Sequence, residues 1–157
     1  MYPALAPGNL IPKEEPMGAP AVSTSTVRHF VFRLKPGEDL LEGIRAVVVS
    51  EGLKAAVIVT AVGSLTKASL RFANTGVWVV REGHFEIVSL VGTVEPGGEH
   101  VHIALSDREG VTFGAHFGPG SAVYTTAEVV LAELDGLAFG REKCADSGWP
   151  ELVVRRA

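Results

Sequence analysis

The sequence predicts a β-rich single domain that also contains a helix, and three observations carry this prediction. The 157 residues include 18 Gly and 9 Pro, a content typical of folds with many turns. Several segments alternate apolar and polar residues as strands do, and one segment spaces its apolar residues as a helix does. The length is sufficient for one domain with a hydrophobic core.

The first two elements are expected to be a strand and a helix. Residues 27–34 alternate in polarity, with Phe30, Phe32 and Leu34 on one side, which predicts the strand where the core begins. Residues 39–51 have apolar side chains at helical spacing, acidic residues near the start and a glycine after the end. These features predict a helix.

The remaining chain is expected to consist mainly of strands joined by turns. Gly63-Ser64 and Glu82-Gly83 are interpreted as breaks between strands, the second as a hairpin turn that exposes His84. Residues 122–134 also fit a helical period, but their Val, Thr and Tyr content favours a strand. Short strands at the C-terminal end are expected to complete the sheet. The predicted strands are residues 55–62, 66–72, 76–80, 85–94, 122–134, 137–139 and 152–154.

Three histidines in one short stretch are the most informative feature of the sequence. His100 and His102 alternate along a predicted strand and therefore point to the same face. The turn residues that follow favour an antiparallel hairpin, and a three-residue loop at 108–110 would place His102 directly opposite His116. A loop of two or four residues would turn His116 to the other face.

Three imidazoles on one patch suit a zinc ion, or another divalent transition metal, with a fourth position open to water or a small molecule. The alternative is chance, since a histidine in a strand is usually a surface or a satisfied core residue. Val101, Ile103 and Leu105 make the opposite face apolar, so the histidine face is the polar one. From spacing alone, both interpretations stay open.

Other residue types that carry chemistry give weaker signals. Glu99 and Glu128 are candidate general acids or bases, although their spacing anchors neither to the histidines. Cys144 lies in a polar stretch and is interpreted as a bystander thiol. The sequence has no nucleophile elbow and no phosphate-binding glycine loop before a helix. It names no catalytic residue and does not decide whether the protein is an enzyme.

Composition argues against several partners and compartments. The formal net charge of −4, with basic residues scattered, argues against direct DNA binding, which depends on phosphate neutralisation. No apolar run reaches membrane-spanning length, and the N-terminal region lacks the pattern of a secretory signal. A single cysteine excludes an internal disulfide and fits a reducing cytoplasm.

The chain is expected to have two parts. Residues 1–26 contain five prolines and form a Pro-rich N-terminal arm, which is expected to be extended unless something holds it. Our hypothesis is that this arm packs along a neighbouring subunit. Residues 27–157 are predicted to form a single domain.

The order of these elements and several short motifs resemble the plant- and prokaryote-conserved (PPC) domain family. The resemblance covers residues 27 to about 142, nearly the whole core. Two small-for-small departures occur, at Ala115, where the family usually has glycine, and at Ser121, where it often has cysteine. The motifs are residues 35–40, 61–65, 92–93, 100–107, Gly110, 114–116 and 123–130.

The resemblance implies an α+β fold, a mainly antiparallel β-sheet with one or two packed helices, assembled as a homotrimer. It also implies that His100, His102 and His116 correspond to a cluster that carries metal in some prokaryotic members. Plant members add an AT-hook, and this sequence contains no Arg-Gly-Arg.

The resemblance leaves three functions open. The first is a metal-binding protein, which could also be a metal-dependent enzyme that acts on a small molecule. The second is a trimeric DNA-binding, transcription-associated or partner-binding scaffold. The third is a purely structural metal near a subunit boundary.

Overall fold

The computed structural model describes residues 22–157, so the predicted N-terminal arm lies almost wholly outside the described residues. Within this range the fold is a mainly antiparallel sheet with one helix, as predicted. The elements are β1 (Val27–Leu34), α1 (Leu40–Ser50), β2 (Ala56–Arg71), β3 (Val79–Glu95), β4 (Gly98–Ser106), β5 (Thr112–Gly118), β6 (Val123–Leu134), β7 (Leu137–Lys143) and β8 (Pro150–Arg156).

Six strands form the main sheet in the order β1-β6-β2-β3-β4-β5. An additional antiparallel pairing of β2 with β5 joins the first and last strands of the β2-β3-β4-β5 group. These four strands therefore form a closed ring. The inner side is apolar, with Val101, Ile103, Leu105 and Phe117 all buried, and it leaves the alternate side chains of β4 and β5 on the outside.

The helix is capped and docked by Asp39. One oxygen of this carboxylate accepts hydrogen bonds from the N–H groups of Leu41 and Glu42, both at 3.0 Å. The other oxygen accepts from the N–H groups of Gly120 and Ser121, which tie the cap to the chain just before β6. An aspartate at this position satisfies N–H groups that a helix start leaves unpaired. The helix buries Leu40, Leu41, Ile44 and Val48 in the core.

Two predicted breaks are wrong. Gly63-Ser64 does not end a strand, because β2 runs through it, and Glu82-Gly83 is not a hairpin turn, because β3 runs through it. At Glu82-Gly83 the pairing of β2 with β3 shifts register between Leu65 and Lys67, as in a β-bulge. His84 is exposed as predicted, although it lies within a strand.

The C-terminal prediction is right in element type and wrong in position. Residues 123–134 form a strand rather than a helix. The last two strands do not complete the main sheet but pair only with each other, from Leu137 opposite Arg156 to Lys143 opposite Pro150. We call this pair the C-terminal hairpin. Across residues 22–157, no helix has the length and apolarity needed to cross a membrane.

Candidate metal centre

The histidine hairpin has the register that the sequence predicts. The backbone of Asp107 pairs with Val111 around a loop of residues 108–110, and Asp107 also accepts hydrogen bonds from the N–H groups of Glu109 and Val111. Counting back along both strands, His102 is the direct partner of His116. An aspartate at the start of the turn therefore sets the face on which His116 lies.

The three imidazoles converge on one point outside the strand ring. Their ring centroids are 4.9, 5.2 and 5.4 Å apart. One ring nitrogen from each lies within 4.8 Å of the other two, and the Nε2 atoms of His100 and His102 are 3.2 Å apart. His100 and His102 are exposed, whereas His116 is partly buried. The structure thus brings together the three predicted ligands.

This arrangement fits a tetrahedral metal ion. With zinc–nitrogen bonds of 2.0–2.1 Å at tetrahedral angles, two donor nitrogens are about 3.3–3.4 Å apart. The Nε2 separation of His100 and His102 is close to that value, and the third ring lies at the same patch. Among the described residues, no fourth histidine, cysteine or carboxylate joins this group. A metal held here would keep an open position, as catalytic sites do.

The surroundings of His102 and His116 favour the neutral form of these imidazoles, which is the form that binds metal. Burial lowers the pKa of His116 to about 4, and the positive charge of Arg71 and the neighbouring imidazoles act in the same direction. Partial burial also lowers the pKa of His102, with contributions from His100 and Arg71. Because only a neutral imidazole can donate a lone pair to a metal, these shifts favour metal binding over protonation at neutral pH.

Arg71 is a candidate site residue that the sequence analysis missed. It lies at the end of β2, directly opposite His116 on β5, which is in turn directly opposite His102 on β4. The three side chains therefore form a row across the outer face of the ring. The position of Arg71 depends on the pairing of β2 with β5, which local sequence patterns do not reveal.

The other candidate residues have separate outcomes. Glu99 lies beside the cluster and lines the same cavity, but Arg45 on α1 donates to both of its carboxylate oxygens. Each carboxylate oxygen of Glu99 therefore already accepts a hydrogen bond from a guanidinium, which orients the carboxylate toward Arg45. Glu128 is exposed on β6, opposite Arg33 of β1. Cys144 is a free thiol between β7 and β8.

The C-terminal hairpin covers one side of the cluster. Arg141 donates to the buried carboxylate of Glu95 at 2.8 Å and to the hydroxyl of Thr93 at 2.6 Å, and Thr93 is the strand partner of His100. Between hairpin and cluster lies a cavity of about 400 Å³, lined by both His100 and His116. The cavity wall on the hairpin side includes Arg141, Trp149 and Glu151.

Comparisons with known proteins agree with this fold. The sequence profile of the Plants and Prokaryotes Conserved (PCC) domain, the family called PPC above, matches residues 21–135. The bifunctional protein GlmU of Synechococcus sp. strain JA-3-3Ab is 35% identical over 156 residues, which are 99% of this chain and 25% of that protein. The chain thus spans about a quarter of the length of the curated relatives it matches.

Solved structures extend the comparison. A hypothetical protein from Salmonella cholerae-suis is 42% identical with a TM-score of 0.84, covering 85% of this chain and 97% of that one. A metal-containing protein from Archaeoglobus fulgidus is 28% identical with a TM-score of 0.72, and the match covers 85% of this chain and 99% of that one. A protein from Ralstonia eutropha JMP134, named for a suggested role in DNA binding, is 16% identical with a TM-score of 0.69. The match covers 78% of this chain and 89% of that one. That last likeness shows the fold alone.

Proposed function

Because this chain belongs to the Plants and Prokaryotes Conserved domain family, and because its three histidines converge on one point, we propose that it is a metal-binding protein. It holds one divalent transition-metal ion, in the first place zinc, at His100, His102 and His116. The observation that carries this proposal is the 3.2 Å separation of the Nε2 atoms of His100 and His102, with His116 directly opposite His102.

The relative from Archaeoglobus fulgidus supports the proposal, because it is described as metal-containing and shares the fold at 28% identity. The donor set supports it as well. Three neutral imidazoles suit zinc, nickel, cobalt or copper better than they suit calcium or magnesium, which prefer oxygen ligands.

The chain's own residues would orient the site and leave one side for a small molecule. The Trp78 ring packs against His116 with centroids 5.6 Å apart, which limits the rotation of that imidazole. Arg45 holds the Glu99 carboxylate beside the cluster. When bound, the ion would act as a Lewis acid that polarises a carbonyl or phosphoryl oxygen. A small-molecule ligand at the open position is therefore part of the proposal.

The assembly is proposed to be a homotrimer. Support comes from exposed valines on the outside of the sheet, which are the kind of surface that a subunit interface covers. They include Val91, the strand partner of His102, so a neighbouring subunit would lie close to the metal centre. These valines are Val59, Val62, Val88 and Val91.

Light scattering tests the assembly. We expect a molar mass in solution three times that of one chain, and the molar mass of a monomer would contradict the proposal.

Direct DNA binding has no comparable support. The formal net charge is −4, and five of the nine arginines form ion pairs with carboxylates. Neutralising phosphates requires an excess of free cations on one face. The absence of a band shift with duplex DNA at low salt is the expected result.

Metal content is the experiment that tests the proposal. Untagged protein is incubated with zinc, dialysed, and analysed by elemental mass spectrometry, alongside His102→Ala and, as a matched control, His29→Ala on β1. We expect near-stoichiometric zinc in the parent and in His29→Ala, and loss of at least most of it in His102→Ala. A parent that stays empty, or a His102→Ala variant that keeps its metal, would contradict the proposal.

A further inference from the structure

The row of residues across the ring ends in a cation that nothing in the described chain neutralises. Arg71 is partly buried and follows His116 in the row. Within residues 22–157 it forms no ion pair and no side-chain hydrogen bond, and its guanidinium lies 5.8 Å from the ring centroid of Trp78. Five other arginines of the described chain have a carboxylate partner, among them Arg45 and Arg141, and the three that lack one are exposed. A partly buried guanidinium without an anion suits an external one.

Arg71 lines the same cavity as His100 and His116. Two other charges on the cavity wall are already compensated, because Glu99 is paired with Arg45 and Arg141 is paired with Glu95. Glu151 adds a carboxylate that accepts a hydrogen bond from Ser147. The cavity therefore offers one guanidinium without an ion-pair partner beside the metal centre, and the carboxylate of Glu151, which is in no ion pair of the described chain, disfavours ligands that carry several negative charges.

The opposite wall has an apolar part and comes from outside the region that the family profile matches. The profile ends at residue 135, and the C-terminal hairpin follows it. The hairpin places Trp149 and Pro150 on the cavity. Trp149 is 65% exposed although it is a large aromatic side chain. Aromatic side chains are common in the lining of ligand pockets, and this ring offers an apolar surface beside the cavity.

We propose that this cavity binds a small organic monocarboxylate, with its carboxylate on Arg71 next to the metal and its apolar part against Trp149. The hairpin then acts as a specificity-determining wall of the cavity. A volume of about 400 Å³ accommodates a ligand of a few carbon atoms with its remaining water. The proposal names the ligand class of the metal centre. The contact between ligand and metal rests on the proposed function, whereas the contact between ligand and Arg71 is independent of it.

The test is calorimetric titration of the zinc-loaded protein with butyrate, in a buffer free of carboxylate and phosphate. Butyramide, which has the same shape without the charge, and inorganic phosphate are titrated in parallel. We expect butyrate to bind and butyramide to bind at least tenfold more weakly, since a charged hydrogen-bonded pair typically accounts for that factor or more. Equal binding of butyrate and butyramide, or tighter binding of phosphate, would overturn the proposal.

Butyrate binding is also measured in variants that each remove one of the proposed ligand contacts. Arg71→Met is expected to weaken butyrate binding at least tenfold without loss of zinc, and Trp149→Ala to weaken it several-fold. Arg108→Met, which removes an equal charge from the exposed β4–β5 turn, is the matched control and should bind as the parent does. Unchanged binding in Arg71→Met would overturn the proposal.

Zinc content measured on the same samples separates the two proposals. If the parent holds no zinc, the metal site fails, and titration of the metal-free protein then decides the Arg71 contact alone. Butyrate binding that Arg71→Met abolishes would sustain that contact, and no binding would overturn it.

Discussion

Asp107 and Val111 close the turn of the histidine hairpin through two hydrogen bonds. The N–H of Asp107 donates to the carbonyl oxygen of Val111 at 3.0 Å, and the N–H of Val111 donates to the Asp107 carboxylate at 2.9 Å. This closure defines a loop of three residues, and the loop length places His116 on the same face as His102. A carboxylate in a turn thus controls a site several residues away.

Replacing Asp107 with Ala should therefore weaken both the fold and the metal site. Its carboxylate accepts from two backbone N–H groups, those of Glu109 and Val111, so we expect the free energy of unfolding to fall by about 1–2 kcal/mol. Zinc affinity should fall several-fold, because the correct register is less populated. Denaturant unfolding and a zinc competition titration measure the two effects. Asp107→Asn keeps an acceptor oxygen and should recover most of both, and an Asp107→Ala variant as stable as the parent would contradict this explanation.

The histidine cluster could be predicted from the sequence because its information is local. Alternation places His100 and His102 on one face, and a short turn sets His116 opposite them. Arg71 and Arg141 could not be predicted in the same way. Arg71 reaches the site through a strand pairing of β2 with β5, and Arg141 reaches it through a contact with Glu95 on β3. Both contacts join segments that are distant in the chain.

The two wrong breaks have a related cause, because both predictions rest on glycine as a sign of a turn. At Gly63 a β-carbon would lie 2.0 Å from the carbonyl oxygen of Thr126, so glycine is needed where β6 crosses close to β2. Glycine inside a strand often marks such a close approach. The sequence shows the glycine but not the backbone that passes over it.

Gly92→Ala should destabilise the protein at the metal centre. Gly92 has φ +156°, and a β-carbon there would lie 2.1 Å from the carbonyl oxygen of His100. Because backbone atoms must move to relieve this contact, we expect a loss of roughly 2–4 kcal/mol in the free energy of unfolding and weaker zinc binding. Gly97→Ala is the matched control, because a β-carbon at Gly97 meets nothing within 4 Å. Chemical denaturation compares them, and equal stability of the two variants would contradict the prediction.

The metal-free protein should lose stability as the pH falls from about 6.5 to about 4. Burial and the Arg71 charge lower the pKa of His116 from an ordinary value of 6.5 to about 4 in the folded state. Between these values the unfolded chain binds a proton that the folded chain does not, so acid favours unfolding, and above 6.5 the full stability is present. Denaturant midpoints measured with a chelator across this range test it. His116→Gln should flatten the dependence, and an identical slope in that variant would show that other groups cause it.

Two arginines of the C-terminal hairpin form ion pairs with glutamates, and the two pairs should differ sharply in their effect on stability. Arg141 meets Glu95, whose side chain is only 2% exposed. Arg155 meets Glu142 on the surface, where both side chains are more than half exposed. Arg141→Met leaves a buried carboxylate without its partner and should cost roughly 3–5 kcal/mol, whereas Arg155→Met should cost less than about 1 kcal/mol.

Denaturant unfolding of the two variants compares these costs directly. Protease sensitivity of residues 137–157 provides a second measurement, because Arg141 joins the hairpin to Thr93 and Glu95 of β3. Faster cleavage of the hairpin in Arg141→Met than in Arg155→Met is the expected result. If the two variants were equally stable and equally resistant, the Arg141 contact would not be what holds the hairpin against the metal centre.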